Sequence, residues 1–83
     1  MSEQVFTLLC KNEVVEYVRK HLGEHIKEDD VYVVWLCKTL QNNKALLSTP
    51  LLDGMYYEIT HNGNDGVLYV DAYKKVDNYT VVV

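Results

Sequence analysis

Two histidines four residues apart can present a pair of metal ligands on one helix face, and His21 and His25 have that spacing. Gly23 lies between them and is expected to end the helix, which separates the pair. His61, Cys10 and Cys37 lie far apart in sequence, outside any CxxC or HExxH pattern, so no metal set assembles. A cysteine beside a histidine can act as a nucleophile. Nothing near Cys10 or Cys37 in sequence activates a thiolate, and both are expected to be reduced, buried and inert, as free cysteines of a cytosolic chain are.

The acids divide into a cluster, Glu28, Asp29 and Asp30, and single residues such as Glu58 and Asp71. If the strands on either side of Asn62–Gly66 pair about that loop, Tyr57 falls beside Asp71 and Glu58 beside Val70. Glu58 and Asp71 would then point to opposite faces and could not share a substrate. Asp71 would accept a hydrogen bond from one of Tyr57, Tyr69 and Tyr73. The Asn62–Gly66 loop lacks both the Lys-Ser/Thr that follows a phosphate loop and the alternating acids of a calcium loop. It reads as a hairpin turn. The sequence thus offers no catalytic residues, no metal ligands and no cofactor site, and it predicts a non-enzyme.

Seven tyrosines are a high count for 83 residues, and Tyr56, Tyr57, Tyr69, Tyr73 and Tyr79 all fall in expected strands. Tyrosine suits a half-buried sheet face and also supplies rigid contact area at interfaces. An aromatic sheet can also stack single-stranded bases, which needs a positive groove. Only Lys38, Lys44, Lys74 and Lys75 are placed to supply one. The net charge is −4 and is spread evenly: residues 1–41 hold five Lys/Arg against seven Asp/Glu, and residues 42–83 hold three against five. This balance disfavours nucleic acid as a partner.

The elements that position these residues follow from pattern. The composition is 48% apolar and 24% charged, which fits one globular α+β domain over residues 1–83. Residues 3–22 read as a helix, N-capped by Ser2 and stopped by Gly23. Leu8, Val14, Val15, Val18 and Leu22 form its expected core stripe. Phe6, Leu9, Cys10 and Tyr17 lie partly on another side, which reads as a broad helix face wrapped by the sheet and its loops, the alternative being a second packing partner such as another copy of the chain. Residues 31–40 give the strongest strand signal, apolar in both alternating sets, as expected of a central strand covered on both faces in its first half, with Lys38, Thr39 and Gln41 taking the second half to solvent. Trp35 is the expected centre of the core. Asn42-Asn43 reads as a tight hairpin, Lys44–Thr49 as the return strand stopped by Pro50, Met55–His61 and Val67–Lys74 as two further strands, and Tyr79–Val83 as a short fifth. The whole reads as one N-terminal helix packed on a four- to five-stranded antiparallel β-meander.

The opening residues Met1-Ser2-Glu3-Gln4 lack the basic and apolar regions of a signal peptide, and the longest apolar run, Val31–Cys37, is too short to span a membrane. A cytoplasmic location without membrane association is expected.

The stretch Val31–Thr49, together with Asp53–Thr60 and Tyr69–Lys75, resembles a family of small proteins of unknown function encoded by phages and prophages of Gram-positive bacteria. Parts of the helix, Leu9–Lys11 and Glu16-Tyr17, fit more loosely. The resemblance covers residues 8–80 and implies action inside a bacterial host cell; it brings no catalytic or binding residue with it. Lys38–Lys44 is its most specific part, and an exposed polar hairpin points to function more strongly than core does.

The expected function is therefore a small non-enzymatic module that binds a host or phage protein. Lys38, Gln41, Asn42, Asn43 and Lys44 on the hairpin, with Tyr57 and Tyr73 from the tyrosine set, are the expected partner-binding residues. The alternative is a nucleic-acid or nucleotide-binding accessory that uses a tyrosine-rich sheet face. Homo-oligomerisation is compatible with either.

Overall fold

A computed structural model describes residues 1–83. It contains helix α1, Glu3–Tyr17, and strands β1, Tyr32–Thr39, β2, Asn42–Ser48, β3, Met55–Asn62, and β4, Val67–Lys74. The four strands form one antiparallel sheet in the order β1-β2-β3-β4. This is the α+β meander expected from the pattern, with four strands. Residues 79–83 form no fifth strand and are exposed.

Ser2 caps α1, its Oγ accepting from the Val5 N–H at 3.2 Å. Glu3 in the first turn favours the positive end of the helix dipole. Beyond Tyr17 the chain widens into a π-type turn, Val18–Leu22. Gly23 ends it at φ 67°, where its N–H bonds back to the Val18 carbonyl.

The helix buries Phe6, Cys10, Val14 and Val18, a ridge of residues four apart. This corrects the expected stripe: Leu8 and Leu22 are exposed, at 51% and 38%. Burying Phe6 and Cys10 in place of those two brings the only phenylalanine into the core. Against this ridge pack Val31, just before β1, with Ala45 and Leu47 of β2, and Tyr57 and Ile59 of β3. Tyr57 is the largest buried side chain, and its ring meets Tyr17 edge-on at 5.2 Å.

Trp35 is not the core's centre; it is 41% exposed. Nor is β1 a central strand. It is an edge, and its register shifts at a bulge between Val33 and Trp35. The bulge breaks the strict alternation, so Val33 and Leu36 pack on the helix side while Trp35 faces away. Two apolar sets in an edge strand therefore reflect one covered face and one bare apolar face.

Candidate protein-binding face

The helix lies over β2 and β3 on one side of the sheet only. Side chains alternate along both strands. Asn43, Ala45 and Leu47 of β2, and Tyr57, Ile59 and His61 of β3, point toward the helix and are buried. Lys44, Leu46, Tyr56, Glu58 and Thr60 therefore point the other way. The register carries this outer face across the sheet. Trp35 pairs with Leu46, Leu46 with Glu58, and Glu58 with Asp71. Cys37 pairs with Lys44, Lys44 with Thr60, and Thr60 with Tyr69, while Tyr56 pairs with Tyr73.

Nothing in the chain covers this face. The molecule is only 20 Å thick along its shortest axis, the depth of one helix on one sheet. Trp35, Tyr69 and Tyr73 are 41%, 51% and 53% exposed, and Tyr32 and Val34 of β1 are exposed beside them. Two shallow depressions mark the surface. One, of ≈ 410 Å³, is lined by Trp35, Cys37, Thr39, Lys44, Glu58 and Thr60 among others. The second, of ≈ 440 Å³, is lined by Leu46, Tyr56, Tyr73, Lys74 and Lys75.

Charge sits near the middle of the aromatic field. Lys44 Nζ lies 3.5 Å from Glu58 Oε1, an ion pair too exposed to contribute much. Asp71 stands opposite Glu58 and has no cation paired with it. This reverses the expectation that Glu58 and Asp71 point to opposite faces. The β3–β4 turn pairs Asn62 with Val67, one residue off the register assumed from the loop signal, and a one-residue slip moves every side chain to the other face. The same slip places Tyr57 opposite Ala72 instead of Asp71.

The expected hairpin residues divide between several roles. The two-residue turn is Leu40-Gln41, with Leu40 at φ 56°, and Asn42 already lies in β2 opposite Thr39. This corrects the placement of the turn at Asn42-Asn43. Asn43 is buried, its Nδ2 3.4 Å from Nδ1 of His61, so it does not reach a partner. Tyr57, fully buried, is removed from the contact set for the same reason. Gln41 Nε2 donates to Asn64 Oδ1 at 2.8 Å, and Asn42 Oδ1 accepts from the Gly63 N–H at 3.0 Å. Much of the polarity of this hairpin therefore ties it to the neighbouring β3–β4 turn. Lys38 Nζ reaches the Met1 carbonyl at 3.5 Å. Asn42, Lys44 and Tyr73 lie on the bare face, Asn42 with its Oδ1 held by the Gly63 N–H. Trp35, Leu46, Tyr56 and Tyr69 are the residues that sequence reasoning did not assign to a site. Their common signal is alternation opposite Ala45, Leu47 and Ile59.

The two cysteines differ. Cys10 is buried, and burial, with Glu13 nearby, pushes its thiol up to about 12. Cys37, expected to be buried, is exposed on the bare face, and its Sγ lies 3.9 Å from Thr39 Oγ1. Among the histidines, His21 stacks on Tyr17 with ring centroids 4.4 Å apart. No helix is long and apolar enough to cross a membrane.

No curated protein and no solved structure matches the chain. Residues 7–83 match a family of unknown function (DUF6275), and the chain belongs to that family.

Proposed function

We propose that this member of the DUF6275 family is a small non-enzymatic protein-binding module, and that the bare sheet face is where its partner docks. The observation that carries this reading is the contiguous apolar set on one side of the sheet, with Trp35, Tyr69 and Tyr73 exposed and Leu46 and Tyr56 half-buried. Monomers rarely expose apolar patches of this extent without a use for them. Four strands of about eight residues span roughly 19 Å by 26 Å, or about 500 Å² in plan. With side-chain relief this approaches the roughly 800 Å² that one partner gives to an interface of standard size. Tryptophan and tyrosine are also the residues that most often carry binding energy.

The charge on the face favours one kind of partner. Glu58 and Asp71 adjoin near its middle, and the one nearby cation, Lys44, pairs with Glu58 alone. An apolar protein surface with a central lysine or arginine complements it. The resemblance to phage and prophage proteins supports a host or phage protein in the cytoplasm of an infected Gram-positive cell as that partner.

The second reading, binding of a nucleic acid or nucleotide, rests on the depression that sets Lys74 and Lys75 beside Tyr56 and Tyr73. A single strand continuing across the sheet from there meets Glu58 and Asp71, which repel phosphate. The protein reading is therefore preferred. Binding measured with Tyr73→Ala and Leu46→Lys separates the two. Both variants weaken a protein partner, whereas Leu46→Lys strengthens binding of a single strand at low salt.

A further inference from the structure

The sequence reads Tyr79–Val83 as a strand, yet the fold leaves it unpaired. Tyr-Thr-Val-Val-Val is strongly β-prone and carries no charge. In this chain Tyr79 and Val81 are 78% and 68% exposed, and Val82 and Val83 are almost bare. A short charged link, Lys75–Asn78, separates the segment from β4. The Lys75 N–H bonds to the Gly54 carbonyl at 2.8 Å, which carries the chain straight on from β4 instead of back along it.

The outer edge of β4 has the complementary deficiency. β4 pairs only with β3, over eight successive positions without a bulge, so its outward N–H and C=O groups lack strand partners. The other edge, β1, is blunted by its bulge. The helix also stops short of β4. A groove of ≈ 340 Å³ lies between them, lined by Glu13, Glu16, Tyr17, Lys20 and His21 of the helical segment and Val70 of β4. Val70, on the helix side of β4 opposite Ile59, is left 38% exposed.

We infer that Tyr79–Val83 of one copy docks as a fifth strand on the β4 edge of a second copy, reciprocally, giving a closed dimer by strand exchange. A strand beside β4 supplies the missing ladder partners at about 4.8 Å. Its alternate residues Tyr79, Val81 and Val83 fill the groove over Val70, and the charges of Glu13, Glu16 and Lys20 stay at the rim. The four-residue link spans up to about 14 Å, more than twice the strand spacing, so it bridges to an adjoining copy. Reciprocal exchange satisfies both edges at once and closes the assembly. This interface uses the sheet edge and does not depend on what binds the bare face.

The test is the solution mass of the full chain at micromolar concentration, set beside a chain ending at Asn78 and beside the Val81→Asp variant. Residues 79–83 are exposed in the single chain, so both variants fold, and both melt below the full chain, whose melting temperature rises with concentration. The inference expects twice the monomer mass for the full chain and half of that value for both variants. In the dimer, amide exchange at residues 80–82 is slowed at least tenfold relative to the Val81→Asp monomer. A monomeric full chain overturns the inference, including one in which residues 79–83 are protected by folding back on their own β4. A dimer that survives removal of residues 79–83 overturns it, as does growth into assemblies of unlimited mass.

Discussion

Glu58 on β3 and Asp71 on β4 stand directly opposite each other on the sheet face that the helix leaves bare. Like charges in opposed positions of an antiparallel pair are destabilising, by roughly 0.2–1 kcal/mol. Lys44 relieves Glu58 in part, at 3.5 Å, and Asp71 has no such neighbour. Within the isolated fold the arrangement is a cost. A basic group brought by a partner converts it into an attraction, which is the physical reason for assigning binding to this face.

The Asp71→Asn variant therefore separates folding from binding. Urea unfolding should show stability unchanged or raised by up to about 1 kcal/mol. Affinity for the partner should fall at least several-fold, with less dependence on salt. A loss of stability would show that Asp71 serves the fold.

Tyr57 carries a second testable cost. Its hydroxyl is buried without a hydrogen-bond partner. Tyr57→Phe removes the unsatisfied group and keeps the ring against Tyr17, so it should raise stability, by up to about 1–3 kcal/mol. Tyr57→Ala should lower it by about 3–5 kcal/mol through the cavity left in the core. The urea midpoints of the two variants should move in opposite directions.

Alkaline pH should weaken the fold through the same core. Burial pushes Tyr57 from 10.0 up to about 12, aided by the nearby Asp53 and Tyr17, and pushes Cys10 from 9.0 up to about 12. Both groups stay neutral in the folded chain where the unfolded chain would ionise them. Their contribution is complete below about pH 9 and is lost as pH rises toward about 12. Unfolding midpoints measured from about pH 8 to 11 should fall, and in Cys10→Ala the decline should begin about one unit later.

The two loops at one end of the sheet are stitched together by Gln41–Asn64 and by Asn42–Gly63. A Cβ added at Gly63 would run into the Gln41 carbonyl oxygen and lie 2.8 Å from its Cγ. Gly63→Ala should therefore cost about 1–3 kcal/mol. Leu40→Asn should instead stabilise, by up to about 1 kcal/mol. Leu40 sits at φ 56° and is 83% exposed, and asparagine accepts that backbone with less strain. Thermal melting of the two variants should shift in opposite directions.

Much of this fold was legible in local chemistry. Ser2 and Gly23 set the helix limits, Pro50 follows the end of β2, and β4 has the limits its pattern suggested. Sidedness was not legible. Tyrosine and other polar residues occur in both alternating sets of β3 and β4, Thr60 and Asn62 in one and His61 and Lys74 in the other, so polarity alone does not distinguish the faces, and one residue of turn length reversed the reading of Glu58 and Asp71. Trp35 misled because size argues for burial while an edge position and a bulge decide against it. The polar run Gln41–Asn43 pointed to a surface site, yet its side chains serve the adjacent turn and a buried contact with His61.

The most direct test of the bare face is affinity capture from a nuclease-treated Gram-positive bacterial lysate with three baits: the native chain, the double variant Trp35→Ala/Tyr73→Ala, and Leu8→Ala on the outer side of the helix. All three should fold, since the changed residues are at least 41% exposed. One protein retained by the native chain and by Leu8→Ala, and lost from the double variant, is the predicted result. An empty capture, or a protein held equally by the double variant, would contradict the assignment of binding to this face.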